Sequence, residues 1–292
     1  MPRLDGLKGV YTAIVTPFKK DKTLDEEGLR NNIQFQISQG VEGIAALGTT
    51  GEAPTLSEQE KVRILQIAKE ECAGRIHLMA GTGSYSTEQT IRMSKLAEEL
   101  GADSCLVITP YYNRPNQKGI YHHFKAVAES VHIPMILYHH PGRSGCRITT
   151  ETLLKLSGIP NIAGIKDASG DLATQTCWLE KVAPSFSVLS GDDPLTLPML
   201  SIGASGVISV TSNLSPKKMI NLVSAALQGD FQTAREIHYQ LLPLMQALSI
   251  DSNPIPVKAA MNLINMAAGP CRLPLTPLEE HHVKFIKEIV HG

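Results

Sequence analysis

Over about the first 225 residues, short apolar runs alternate with longer segments whose apolar positions recur every three or four residues. The runs lie at residues 9–16, 43–47, 76–80, 104–109, 135–138, 163–166, 186–189 and 206–210. Each is hydrophobic along its length rather than at every second position, the pattern of strands covered on both faces in a parallel sheet. The segments between them carry helix start and stop signals. Asp25 precedes a helical pattern to about Gln39, with Leu29, Ile33 and Ile37 on one face and Gly40 as its stop. Ser57 and Glu60 have capping-box spacing, and Val62, Leu65 and Ala68 follow on one side. Thr87, Gln117 and Thr149 or Thr150 open further helices, and Gly170 with Asp171 opens the one after the sixth run.

Eight strands alternating with helices predict an α/β fold, a (β/α)8 TIM barrel over residues 1–225. A doubly wound open sheet has the same alternation, because periodicity does not show closure. From Ser215 onward the strand signals stop. Ser215 with Pro216, Gly229 with Asp230, and Thr276 with Pro277 and Glu279 mark helix boundaries, and Pro243 is expected to kink the helix it interrupts. Residues 226–292 therefore read as a C-terminal helical extension that partly completes the outer ring of the barrel.

Charge and cysteine usage narrow the partners. With 27 Lys+Arg against 28 Asp+Glu and a formal net charge of -1, nothing attracts a nucleic-acid backbone or an anionic membrane. A small-molecule ligand fits better. The five cysteines, at 72, 105, 146, 177 and 271, include no CxxC pair, which argues against a zinc knuckle or a disulfide framework and for the reducing cytoplasm. The N-terminal stretch, broken by Lys8, Gly9 and Thr12, lacks the apolar core of a signal peptide, and no run has the length of a transmembrane helix.

In a parallel barrel the site forms at the C-terminal ends of the strands, so the residues just after each run carry the chemistry. After the second run comes GTTGE, residues 48–52; after the fourth, Pro110, Tyr111, Tyr112 and Asn113. The fifth ends in Tyr138, followed by His139, His140, Pro141, Gly142 and Arg143. The sixth ends in Lys166 with Asp167, the seventh in Ser190, Gly191 and Asp192, and the eighth runs into Thr211, Ser212 and Asn213. Lys166 closes an apolar run, where desolvation favours a neutral, nucleophilic amine that can form a Schiff base with a carbonyl substrate. The same local pattern suits a lysine whose stem packs while its head reaches water. Tyr138, one strand away, has the donor and acceptor capacity of a proton shuttle. The small residues and hydroxyls of GTTGE suit a carboxylate, and the loop lacks the GK[ST] ending of a phosphate loop. Arg143 can hold a second carboxylate in a fork. The tandem histidines at 122/123, 139/140 and 281/282 make no metal motif, and GTGS at 81–84 lacks the third glycine of a dinucleotide fingerprint.

TAIVTPF at 12–18, GTTGE, TPYYNRP at 109–115, Tyr138 with PGRSGC, GIKDASGD at 164–171, SGDD at 190–193 and GVISVTSN at 206–213 follow one another in order. Together they resemble the dihydrodipicolinate synthase and N-acetylneuraminate lyase family of pyruvate-dependent class I aldolases. The resemblance implies a (β/α)8 barrel with C-terminal helices, assembled as a homotetramer of two tight dimers. It implies that Lys166 forms the Schiff base with pyruvate, that Thr50 holds the pyruvate carboxylate, and that Tyr138, Thr49 and Tyr112 form a proton relay. Tyr112 would reach the site of a neighbouring subunit. Arg143 would take the carboxylate of the second substrate, with the backbone of Gly191 and Ile208 nearby. No cofactor is implied beyond the covalent pyruvate adduct on Lys166. Arg143 and the KDASGD string favour synthesis from pyruvate and L-aspartate 4-semialdehyde over cleavage of a sugar acid by the same Schiff base. A barrel that keeps the pocket but only senses a small molecule, and more remotely a metal-dependent hydrolase, are the readings from other classes. Two departures stand out. Many synthases carry asparagine where His139 follows the relay tyrosine. At the positions of the family's lysine feedback site stand Ala53, Glu58 or Lys61, Tyr85 and Gln89, which implies weak or absent inhibition by lysine.

Overall fold

A computed structural model describes residues 6–291, so the first five residues of the N-terminal stretch and Gly292 lie outside the described residues. Its strands close into one barrel in sequence order. They are β1 (Gly9–Ala13), β2 (Gly43–Ala46), β3 (His77–Gly81), β4 (Ser104–Ile108), β5 (Met135–His139), β6 (Ile162–Asp167), β7 (Ser187–Ser190) and β8 (Gly206–Ser209). Closure decides against the open sheet. β1 stops three residues short of the expected end because Val15 leaves the ladder: its N–H donates to Asn213 Oδ1 at 3.2 Å, and the Thr16 hydroxyl donates to the Gly51 carbonyl at 2.8 Å.

The helices are α1 (Glu26–Gln39), α2 (Glu58–Cys72), α3 (Thr87–Glu99), α4 (Gln117–Ala128), α5 (Pro141–Ser144), α6 (Thr150–Ser157), α7 (Leu172–Lys181), α8 (Thr196–Ser201), α9 (Pro216–Leu227), α10 (Phe231–Ala247), α11 (Ile255–Leu263) and α12 (Glu280–His291). The Asp25 side chain accepts from the Gly28 N–H, and Gly40 ends α1 in the left-handed conformation. Ser57 and Glu60 form both halves of the capping box at α2. Asp171 caps α7 and Thr149 caps α6. Ser215 occupies the cap position of α9 without making a side-chain cap bond. α10 runs on through Pro243, and α12 begins only at Glu280. The short α5 has no periodic signal to announce it.

Backbone contacts divide the chain into two compact units. One holds Gly9 and the described residues just before it together with Met79–Ile208; the other is Val10–Leu78 with the described residues from Ser209 onward. In the first, Phe124, Ile136, Leu137, Ile165, Trp178 and Val188 are buried, and the Trp178 indole N–H donates to the Thr150 hydroxyl at 3.1 Å. β6 carries one extra residue there. Met135 pairs with Ile162, but Ile136 pairs with Gly164, so Ala163 is bulged out. Gly164 is the residue that tolerates the tight fit: a Cβ on it would lie 2.4 Å from the Ser187 carbonyl oxygen.

In the second unit the C-terminal helices share an apolar cluster with Val15, built from Ala247, Leu248, Ile255, Val257, Ala260, Met261 and Ile286. A buried ion pair sits in the same unit. Lys258 Nζ donates to Glu52 Oε1 at 2.7 Å and to the carbonyls of Thr16 and Pro270 at 3.1 and 2.9 Å. Among the described residues no helix is long and apolar enough to cross a membrane.

Candidate active site

β5 and β6 set Tyr138 beside Lys166. The two are register partners, and Lys166 Nζ lies 4.4 Å from the centroid of the Tyr138 ring. Each is only 6 % exposed. The turn after β7 receives the lysine stem: a Cβ at Gly191 would come within 2.8 Å of Lys166 Cε and 3.0 Å of its Cγ. Glycine is therefore the residue that leaves the stem its place. The Gly191 N–H donates to the Asp167 carbonyl at 2.6 Å, which ties this turn to the end of β6. An amine packed against a phenol can add to a ketone while the hydroxyl moves protons to and from the carbinolamine oxygen.

His140 stands edge-on to Tyr138, with ring centroids 6.1 Å apart, and its Nδ1 is buried without a hydrogen-bond partner. Burial, then the positive charges of Arg143 and Lys166, lowers its pKa to about 4, so the imidazole is neutral near pH 7. Arg143 lies on α5 and is exposed. Ile208 is buried in β8. Burial, then the neighbouring carboxyls of Asp193 and Asp167, raises the pKa of Asp192 above the ordinary carboxylate value.

Tyr112 is placed differently. It is 91 % exposed, and its φ of 69° turns the chain sharply at that point. Such exposure leaves nearly its whole surface uncovered by its own chain. Tyr111 beside it packs edge-on against Tyr85, with centroids 5.6 Å apart.

In the other unit, Thr49 and Thr50 follow β2. Thr50 is buried, and its Oγ1 accepts from Asn253 Nδ2 at 2.9 Å. With that lone pair engaged, the hydroxyl proton of Thr50 is available to an anionic ligand. The Thr49 carbonyl accepts from the Glu52 N–H at 3.1 Å, closing the GTTGE turn. Glu52 itself is the counter-ion of Lys258, and its second oxygen accepts from the Arg272 N–H at 2.9 Å.

Lys166, Tyr138 and Gly191, singled out in the sequence, thus lie together, and Thr49 and Thr50 form the expected turn, but the supporting roles of four residues are not legible there. Asn253, which donates to Thr50, and Lys258 lie in NPIPVK, where a lysine inside an otherwise apolar stretch is the available signal. His139 pairs with Asp167, and each directly follows a residue already singled out. Among the described residues no group of three or more His, Cys, Asp or Glu side chains could hold a metal ion.

A closed ring of parallel strands, with a buried lysine near the end of the sixth strand and a tyrosine against it on the fifth, defines a β/α-barrel with an amine–phenol site. A family model described as the Dihydrodipicolinate synthetase family matches residues 6–292, and the chain belongs to that family. It is 49% identical over 288 residues to 4-hydroxy-tetrahydrodipicolinate synthase of Protochlamydia amoebophila (strain UWE25), covering 98% of this chain and 96% of that one. Dihydrodipicolinate synthase from Aquifex aeolicus superposes with a TM-score of 0.96 at 43% identity, covering 98% of this chain and 97% of that one. The chloride-inhibited dihydrodipicolinate synthase from Acinetobacter baumannii, solved in complex with pyruvate, superposes with a TM-score of 0.95 at 40% identity, covering 97% and 98%.

Proposed function

We propose that this chain catalyses the 4-hydroxy-tetrahydrodipicolinate synthase reaction, condensing pyruvate with L-aspartate 4-semialdehyde on the route to diaminopimelate and lysine. The observation that carries this reading is the Lys166 amine, buried and 4.4 Å from the Tyr138 ring, in a member of this family. The amine attacks the keto carbon of pyruvate, water leaves, and an imine forms. Loss of a methyl proton gives the enamine, whose carbon attacks the aldehyde of the second substrate, and the product then cyclises off the lysine. The covalent adduct on Lys166 takes the part of a cofactor, so none is required.

Tyr138, Thr49 and Tyr112 serve as the proton relay in this account. Thr50, its hydroxyl oriented by Asn253, holds the pyruvate carboxylate. Arg143 takes the carboxylate of the semialdehyde, and the backbone of Gly191 and Ile208 borders the second substrate. The exposure of Tyr112 supports its reaching a neighbouring subunit, and with it a homotetramer built from two tight dimers. The five free cysteines accord with a cytoplasmic enzyme.

The test is an assay with pyruvate and either L-aspartate 4-semialdehyde or, in reverse, N-acetylneuraminate. Turnover of the semialdehyde pair and none of the sugar acid is the expected result. Cleavage of the sugar acid alone would replace the synthase reading with a lyase, and binding of pyruvate without turnover would make the barrel a sensor.

A further inference from the structure

In a strand, the residue after an inward-facing side chain points to the opposite face of the sheet. His139 follows Tyr138 and Asp167 follows Lys166, and these two meet as register partners. His139 Nδ1 lies 2.5 Å from Asp167 Oδ1, with the side chains 2 % and 0 % exposed. The Ile148 N–H donates to His139 Nε2 at 3.2 Å. Because Nε2 accepts, the ring proton sits on Nδ1 and is donated to the carboxylate. Asp167 Oδ2 is filled in turn by the Ser169 hydroxyl, at 2.7 Å, and by the Gln175 amide. Trp178 covers the imidazole, ring centroids 5.5 Å apart.

We infer that His139 is a two-armed positioning residue for the reaction proposed above, on which this inference rests. Its Nδ1 arm, through Asp167, holds the ends of β5 and β6 at the spacing that sets Tyr138 against Lys166. Its Nε2 arm anchors Ile148, the far end of the turn that begins with α5 and carries Arg143. The two arms serve different substrates: one aligns the amine and phenol that act on pyruvate, the other steadies the guanidinium that receives the second carboxylate. Asparagine separates them. Its amide places a donor where Nδ1 stands but has nothing that reaches the position of Nε2.

The experiment compares wild type, His139→Asn and His139→Leu, each checked for fold by thermal melting. It reads the rate at which borohydride traps the pyruvate imine, and the kcat and KM for L-aspartate 4-semialdehyde. Misplacing reacting groups by about 1 Å costs on the order of 10²-fold, so His139→Leu is expected to slow trapping at least about tenfold and to raise the semialdehyde KM. His139→Asn is expected to trap within about twofold of wild type while its semialdehyde KM rises about tenfold, the anchored turn alone being released. That split supports the inference even where the leucine variant does not fold. A folded asparagine variant whose trapping rate and semialdehyde KM are both unchanged, or whose trapping slows at least as much as its semialdehyde KM rises, would overturn it. Failure of the wild type itself to trap pyruvate would overturn the Schiff-base reading and this inference together.

Discussion

Tyr138 faces Lys166 across β5 and β6 only because Ala163 is bulged out of β6. Were Ala163 paired in the ladder instead, Tyr138 would pair with Ile165, Lys166 would point to the opposite face, and amine and phenol would be separated by the sheet. The register of two strands is thus the physical basis of the proposed chemistry.

If the Tyr138 hydroxyl shuttles protons, Tyr138→Phe keeps the ring against Lys166 and removes only the shuttle. A loss of kcat of roughly 10²-fold or more is expected, with pyruvate still trapped on the protein by borohydride. Unchanged kcat in steady-state assays would assign the shuttle elsewhere.

Glu52 and Lys258 make a stability prediction. Burial lowers the pKa of Lys258, and the hydrogen bond and charge of Glu52 oppose that shift. Glu52→Ala leaves a buried ammonium without its counter-ion, which costs roughly 3–5 kcal/mol. Urea denaturation is expected to show this loss, and adding Lys258→Met to remove the stranded charge is expected to recover part of it. A Glu52→Ala protein as stable as wild type would contradict the pairing.

Acid sensitivity follows from three groups. His123 and His140 have folded pKa values lowered to about 4 from 6.5, in both cases chiefly by burial. The unfolded chain takes up these protons first, so stability is full above about pH 6.5 and falls as pH drops toward 4. Glu60, paired with Arg272 at 2.5 and 2.8 Å, has its pKa lowered from 4.5 to about 2, so its contribution is present above pH 4.5 and lost toward pH 2. Melting temperatures measured across this range are expected to decline in both windows, and Glu60→Gln is expected to flatten the lower one.

Feedback by lysine is expected to be weak or absent. The resemblance puts Lys61 among the positions of the feedback site, and an ammonium there repels a cationic amino acid. Initial rates with rising L-lysine test this directly; a potent, saturable inhibition curve is the contrary result.

The barrel is legible in the sequence because its strands are buried on both faces and its helices announce themselves through Asp25, Ser57, Thr149 and Asp171. What escapes is whatever depends on a distant partner. The early end of β1 is set by Asn213, 198 positions from Val15, and the role of Glu52 by Lys258, 206 positions away. The Ala163 bulge leaves no mark until β6 is laid against β5. Lys166 and Tyr138 could be singled out as strand ends, but the His139–Asp167 pair beneath them appears only once the register is known. Tyr112 is the opposite case: the motif that contains it is plain in sequence, while the place proposed for it in the chemistry would require a second subunit.

The most direct test of the account is borohydride reduction in the presence of pyruvate, followed by peptide mapping. One adduct is expected, on Lys166, and none in Lys166→Ala protein that melts like the wild type. An adduct on another lysine, or no adduct at all, would contradict it.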